Sequence, residues 1–268
     1  MNRLLIAKEG PVWVAKFHNP PHHYMDQHTA RELTALLDDV ESSDTVRAVI
    51  LTGSEPGVFI RHYDVSELLE TGKAMAEKGL QFSQDRPVPE SEVHRCLSRM
   101  ETLPVPFIAA VNGSAMGGGF EIALACDLRL VEDGEYALGL PEVNVGILPG
   151  AGGTQRLSRL LGQARAMEMI LLGSTLSPQK VQDYGLALEC VRGDVLARAR
   201  EVALQVVAHS PLATRHIKYL VRGAQQWPVD EGMARERTLF CELMVSPEGL
   251  EAMRLMVEEG VDIRDAAK

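Results

Sequence analysis

Paired cysteines, aromatic clusters, basic stretches and long apolar runs are all scarce in this sequence of 268 residues. Its four cysteines, Cys96, Cys126, Cys190 and Cys241, are widely scattered and form no CxxC pair. Disulfide frameworks and zinc sites use cysteines at close, regular spacing, so the pattern reads as free thiols in a reducing compartment. Phe, Trp and Tyr together make up only 5% of the chain, so Leu, Val, Ala and Met must supply most of the packing. Acidic residues outnumber basic ones 37 to 27, which leaves a formal charge of −10. Affinity for nucleic acid rests mainly on Lys and Arg at phosphates, and no basic cluster with interleaved aromatics offsets the repulsion. No stretch approaches the roughly 20 apolar residues of a membrane span. The opening MNRLLIAKEG lacks an apolar run of signal-peptide length. The expectation is a cytoplasmic protein with neither a nucleic-acid nor a membrane partner.

What is present suits a globular enzyme. Hydrophobic residues make up 46% and charged residues 24%, enough for a sizeable core. Two apolar runs from Leu4 to Phe17 flank Glu9-Gly10-Pro11 and predict a hairpin. Leu33, Leu36, Leu37 and Val40 recur at helical spacing. VRAVILTG (46–53) is a β-branched run ending at glycine, the pattern of a buried strand. A polar segment, 74–90, leads to the helical EVHRCLSRMETL, the strand PFIAAVNG, a glycine-rich turn, the apolar helix FEIALACD and the strand LRLVED. Strands alternating with helices predict an α/β core over residues 1–190. Residues 191–268 carry no convincing strand, and Ser210-Pro211 and Ser246-Pro247 read as N-cap followed by proline at the first helical position.

Two glycine-rich segments carry the chemical signal. In NGSAMGGGFE, Gly117, Gly118 and Gly119 precede the helix that bears Glu121. Missing side chains let a ligand oxygen approach the backbone, and the first amides of a helix are unpaired donors. Together they suit a developing oxyanion. In PEVNVGILPGAGGTQRL, Glu142 lies in a loop and Gly150–Gly153 lead into another helix. Each signal alone is weak, since a glycine run before a helix is more often a packing corner.

In combination, AAVNGSAMGGGFEIALACDLRL followed by PEVNVGILPGAGGTQRL resembles the crotonase superfamily, in particular its enoyl-CoA hydratase branch. The resemblance implies a spiral of ββα turns followed by a helical region that builds trimers, often paired into hexamers. It implies an oxyanion hole of two backbone amides that holds a thioester carbonyl as it becomes enolate-like. By position those amides belong to Gly118 and, in VFIRHYDVSEL, to Tyr63. The hydratase branch carries two glutamates where many isomerases keep one, and here Glu121 and Glu142 fill both positions. Two carboxylates in a small desolvated site cannot both ionise cheaply, so one proton is held between them, which suits the splitting of water. Their separate roles stay unassigned. His62, Asp64, Gly117 and Gly150 are expected to contact substrate, Gly150 by holding the water or the second carboxylate through its backbone. No cofactor is implied beyond the CoA of the thioester.

The pattern departs from relatives at three places. His62 stands where glycine is usual, which reshapes the acyl pocket or simply faces solvent. His18, His22, His23 and His28 crowd a loop that in relatives borders the CoA nucleotide, but without partners at metal-ligand spacing. At the C-terminus, Met256, Glu259 and Gly260 stand where relatives carry an aromatic and two basic residues that help to grip CoA. Lys218, Arg222 and Arg254 are candidates to compensate, and an acyl carrier protein stays open as the thioester carrier. A double-bond isomerase, an acyl-carrier-protein dehydratase or thioesterase, and a non-catalytic or RNA-binding member are the alternatives to hydration.

Overall fold

The computed structural model describes residues 2–264. Residue 1 and residues 265–268, the outer ends of the 1–190 and 191–268 segments, lie outside the described residues. In chain order the strands are β1 (Leu4–Glu9), β2 (Val12–Phe17), β3 (Ala48–Gly53), β4 (Gly57–Ile60), β5 (Phe107–Val111), β6 (Gly113–Met116), β7 (Leu128–Glu132), β8 (Leu138–Gly139), β9 (Thr175–Leu176) and β10 (Glu189–Val191). The helices are α1 (Gln27–Glu41), α2 (Val65–Glu77), α3 (Glu92–Thr102), α4 (Gly118–Ala125), α5 (Gly153–Leu161), α6 (Gln163–Leu171), α7 (Pro178–Asp183), α8 (Val195–Ala208), α9 (Pro211–Gly223), α10 (Val229–Met244) and α11 (Pro247–Glu259).

The predicted hairpin is β1 paired antiparallel to β2, and the remaining strands of this six-stranded sheet run parallel in the order β1-β2-β3-β5-β7-β10. Side chains alternate across a strand, so β2 and β3 each feed two cores. Trp13, Ala15 and Phe17 of β2 and Val49 and Leu51 of β3 face the larger core under α1, α3 and α4. Val12 and Val14 with Ala48 and Ile50 face the other side, where Val195, Ala199, Val202 and Ala203 of α8 cover them. Burial on both faces explains why 48–53 reads as an unbroken apolar run. The helix α8 follows the boundary at 190 and closes one face of the sheet.

Three consecutive ββα turns wind through the molecule: β3–β4–α2, β5–β6–α4 and β7–β8–α5. The first strand of each turn joins the large sheet. The second joins a smaller sheet of order β4-β6-β8-β9, parallel except for β9. The run PFIAAVNG reads as a single strand ending at Gly113, whereas the chain turns there and β6 runs on to Met116 in the smaller sheet. After Val191 the described residues contain no strand, and α9 and α11 begin at Ser210-Pro211 and Ser246-Pro247, each serine accepting a hydrogen bond in the first turn.

Candidate active site

In parallel sheets the carboxyl ends of strands open onto the loops that carry function. The smaller sheet aligns three such ends. β4 ends at Ile60 and leads through His62 and Tyr63 into α2, β6 leads through Gly117 into α4, and β8 leads to Glu142 and then α5. Pairing of Ile60 with Ala115, and of Ala115 with Leu138, sets the three loops side by side.

The first two loops present backbone donors. The His62 carbonyl accepts from Met25 N at 2.9 Å, and Asp64 N donates to the Met25 carbonyl at 2.7 Å. In a trans peptide the N–H points away from the carbonyl that precedes it. The bond to Met25 therefore turns the Tyr63 N–H to the opposite side, and a methyl group at Gly118 would sit 3.9 Å from the Tyr63 nitrogen. Gly118 is the first residue of α4, so its own N–H has no partner within the helix. Among the described residues neither amide donates to any protein acceptor. Two unengaged amides thus stand together at the end of a helix. Gly117 makes this turn with φ of +52°, where a side chain would be strained.

All eight residues of α4 are buried, among them Glu121, which is only 2% exposed. Its Oε1 accepts from the amides of Ala151 at 2.8 Å and Gly153 at 2.7 Å. Burial raises its pKa, while these two amides and the Arg156 charge oppose the rise. Glu142 opens a one-turn 3₁₀ helix, Glu142–Val145, and its Oε1 would lie 3.0 Å from a methyl group at Gly117. Its Oε2 is buried, with no protein hydrogen-bond partner among the described residues. Burial first, and the nearby Glu121 charge in addition, push the Glu142 carboxyl up to about 7. Burial raises both carboxyls and each charge disfavours the other, so the pair is suited to sharing one proton, with two amides bonding the charged form at Glu121 and two free amides beside it. That arrangement can bind a carbonyl oxygen as it gains charge, accept a proton from water and donate one to carbon.

The sequence profile of the family described as Enoyl-CoA hydratase/isomerase matches residues 7–260. The chain belongs to the enoyl-CoA hydratase/isomerase family. It is 33% identical to a short-chain-enoyl-CoA hydratase of Clostridium acetobutylicum over 97% of this chain and 96% of that one. It is 31% identical to a 2,3-dehydroadipyl-CoA hydratase of Escherichia coli, with 97% of each chain covered. The fold matches a crystal structure of an enoyl-CoA hydratase from Bacillus anthracis with a TM-score of 0.85 and 28% identity, over 96% of both chains. The crotonase fold inferred from the two glycine-rich segments is therefore the observed one.

Within this family fold, the residues singled out in the sequence separate into two groups. Tyr63, Gly117, Gly118, Glu121 and Glu142 converge. Asp64 does not direct a free carboxylate inward: it caps α2, accepting from Ser66 N at 2.8 Å. Gly150 is exposed, and the amides that grip a carboxylate are those of Ala151 and Gly153, which the sequence reading missed. A methyl group at Gly153 would lie 2.9 Å from Glu121 Oε1, so this close approach needs glycine. His62 donates from Nδ1 to the Tyr63 carbonyl at 2.7 Å, and its ring stacks on Tyr24 with centroids 4.3 Å apart. The other loop histidines diverge: His18 bonds Ser54, His22 stacks on Tyr24 and His28 pairs with Glu32.

The basic residues considered for gripping CoA are engaged elsewhere. Lys218, 8% exposed, pairs with Asp127 at 2.8 Å and donates to the carbonyls of Met100 and Val105. Arg222 pairs with Asp127 and Glu101. Arg254 sits among Glu251, Glu258 and Glu259 on α11. The acidic partners of Lys218 and Arg222 lie about a hundred positions away in the chain, beyond the reach of local pattern reading.

Proposed function

We propose that this protein adds water across the 2,3 double bond of an enoyl-CoA thioester, or catalyses the reverse dehydration of a 3-hydroxyacyl-CoA. The observation that carries the reading is the asymmetric pair of glutamates beside two unengaged amides. The thioester carbonyl oxygen accepts from Tyr63 N–H and Gly118 N–H. Ionised Glu121 takes a proton from water as its oxygen bonds to C3, the π pair moves toward the carbonyl, and the amides stabilise the enolate charge. Glu142 then delivers its proton to C2. Proton exchange with solvent resets the dyad, which titrates as a unit. The chemistry calls for no cofactor beyond the CoA of the substrate.

Incubation with crotonyl-CoA tests this directly. The expected result is loss of the conjugated enoyl thioester with formation of 3-hydroxybutyryl-CoA. Conversion of a 3-enoyl-CoA to its conjugated isomer, without hydration of crotonyl-CoA, would establish the isomerase alternative.

The same reading includes a homotrimer, or a pair of trimers, assembled through the helices after residue 190. Its support is the exposed apolar surface of Ile217 and Val221 on α9, Phe240 on α10 and Val257 on α11. Sedimentation should give a mass of three or six chains. A cytoplasmic location belongs to this reading too, in keeping with the unpaired thiols of Cys96 and Cys126. No helix among the described residues is long and apolar enough to cross a membrane.

A further inference from the structure

The loop that receives Glu121 is itself held by a chain of charges. Arg156, in the second turn of α5, donates from Nη1 to the Ala151 carbonyl at 2.7 Å. Its Nε and Nη2 chelate Glu101 at 2.9 and 2.8 Å, with the Arg156 side chain 13% exposed. Ala151 is thus fastened on both sides, its N–H to Glu121 and its carbonyl to Arg156. The guanidinium also occupies the space beside Gly152, whose φ of +94° makes the bend between the two gripping amides. Glu101 extends the chain to Arg222 Nη1 at 3.2 Å. Arg222 Nη2 in turn donates to the carbonyl of Ala125, the last residue of the helix that bears Glu121.

We propose that Arg156 is a positioning residue for Glu121: by clamping the Ala151 carbonyl while chelating Glu101, it fixes the 151–153 amides where they receive the Glu121 carboxylate. The inference rests on the proposed part of Glu121 in hydration. A planar guanidinium suits the task because it makes two parallel bonds to a carboxylate and keeps a third donor for a carbonyl, which an ammonium cannot do in fixed geometry. Its charge acts in the same direction, favouring the ionised carboxylate. Without it, the loop loses its anchor, the two amides loosen, and Glu121 holds a proton to higher pH. A proton on Glu121 removes the base for water, so kcat falls while KM, set by thioester contacts elsewhere, stays near its original value.

Infrared difference titration of the Glu121 carboxyl, its band assigned by Glu121→Gln, tests the inference on the full chain alongside crotonyl-CoA kinetics. In Arg156→Gln the Glu121 midpoint should rise by about one pH unit or more, a tenfold change in protonation. The acid limb of kcat should move to higher pH, and kcat should fall by about tenfold or more with KM within about threefold. Arg156→Lys, which keeps the charge without the fork, should recover part of the midpoint shift. If Arg156→Gln fails to fold, Glu101→Gln replaces it, loosening the chelation while keeping the charge, and a smaller rise of the same sign is expected. A lowered melting temperature with an unmoved Glu121 titration and pH profile would reduce Arg156 to a strut and overturn the proposal. Should the wild-type protein leave crotonyl-CoA untouched, the hydratase reading falls, and the titration alone still decides the role of Arg156.

Discussion

Helix α4 and the helical turn at Glu142–Val145 each deliver one glutamate to the same place, but they hold it differently. α4 is buried on every side and clamped at its C-terminal end, where Arg129 and Arg222 bond its last carbonyls. Glu121 emerges from it into two amides. From the second residue of the other turn onward, 143–148 are all exposed, and among the described residues Glu142 Oε2 has no protein partner. Burial raises both carboxyls, but at Glu121 two amides bond the charged form and oppose the rise, whereas Glu142 Oε2 has no such donor. Acid and base are set by where the backbone amides point.

The largest expected effects come from abolishing the comparison. Glu121→Gln and Glu142→Gln each keep size and remove a proton carrier, which is typically worth about 10²–10⁴ in rate. Crotonyl-CoA hydration by both variants should fall within that range, and near-native activity in either one would remove that residue from the mechanism. Because the pair acts as a unit, the double variant should be little worse than the weaker single one.

Gly153→Ala attacks only the Glu121 side. The added methyl would meet Glu121 Oε1, Leu140 Cδ1 and Pro149 Cβ, each at 2.9 Å. Two of these are packed and the third is the held oxygen, so the loop must shift and the amide bond weakens. Overpacking of this kind costs about 1–3 kcal/mol of stability, and kcat should drop by about tenfold or more through misplacement. A crystal structure of Gly153→Ala with both amide bonds intact and native kcat would break the link between cradle and chemistry.

Part of this arrangement was legible in the sequence. The hairpin, α1, the strands β3, β5 and β7 and the helices after Ser210 and Ser246 each carried a periodic or capping signal of their own. β6 and β8, the strands that align the site, did not, because four residues with a leading glycine and two residues are too short to show a period. Glu121 and Glu142 were visible as side chains. Ala151 and Gly153 act through backbone N–H, and a donor of that kind leaves no residue-type signature beyond the absence of bulk in PGAGG. Lys218 and Arg222 read as candidates to help grip CoA, and their engagement was not legible because their partners, Asp127 and Glu101, are close only in the folded chain.

Stability against pH sharpens the comparison from the Glu142 side. Its carboxyl is raised from 4.5 to about 7, so below pH 4.5 it is protonated whether folded or unfolded. Between those values the unfolded chain releases the proton and the folded chain retains it, so stability falls as pH rises, and above 7 the loss is complete. Glu142→Gln removes this loss. The variant should be more stable than the wild type by roughly 2 kcal/mol at pH 8, after discounting for partial exposure, and equal to it near pH 4. Urea melts at the two pH values measure the difference. A gain of the same size at both would trace the effect to packing and leave the raised carboxyl without support.

The smallest expected effect falls on Tyr63, where the backbone and the side chain do separate jobs. The backbone N–H faces Gly118, and the hydroxyl donates to Glu67 Oε2 at 2.9 Å, a carboxylate that also accepts from Gln27 N at 3.1 Å. Burial first, and the bonded Glu67 next, hold the phenol proton far above neutrality, so the hydroxyl is no acid or base for hydration at ordinary pH. Tyr63→Phe removes the bond to Glu67 and leaves the amide in place. A net loss of about 1 kcal/mol of stability is expected, the usual worth of such a bond, because Glu67 keeps Gln27 N and reaches solvent. The kcat on crotonyl-CoA should stay within about threefold, against the 10²–10³ that loss of an oxyanion donor costs. The companion variant His62→Gly with Tyr63→Ala breaks the stack on Tyr24 and removes side-chain bulk beside Gly117 and Gly118. It should reorder kcat/KM across acyl chain lengths more than it lowers the best value. A collapse of kcat in folded Tyr63→Phe would mean that the hydroxyl, and not the amide, faces the reacting thioester.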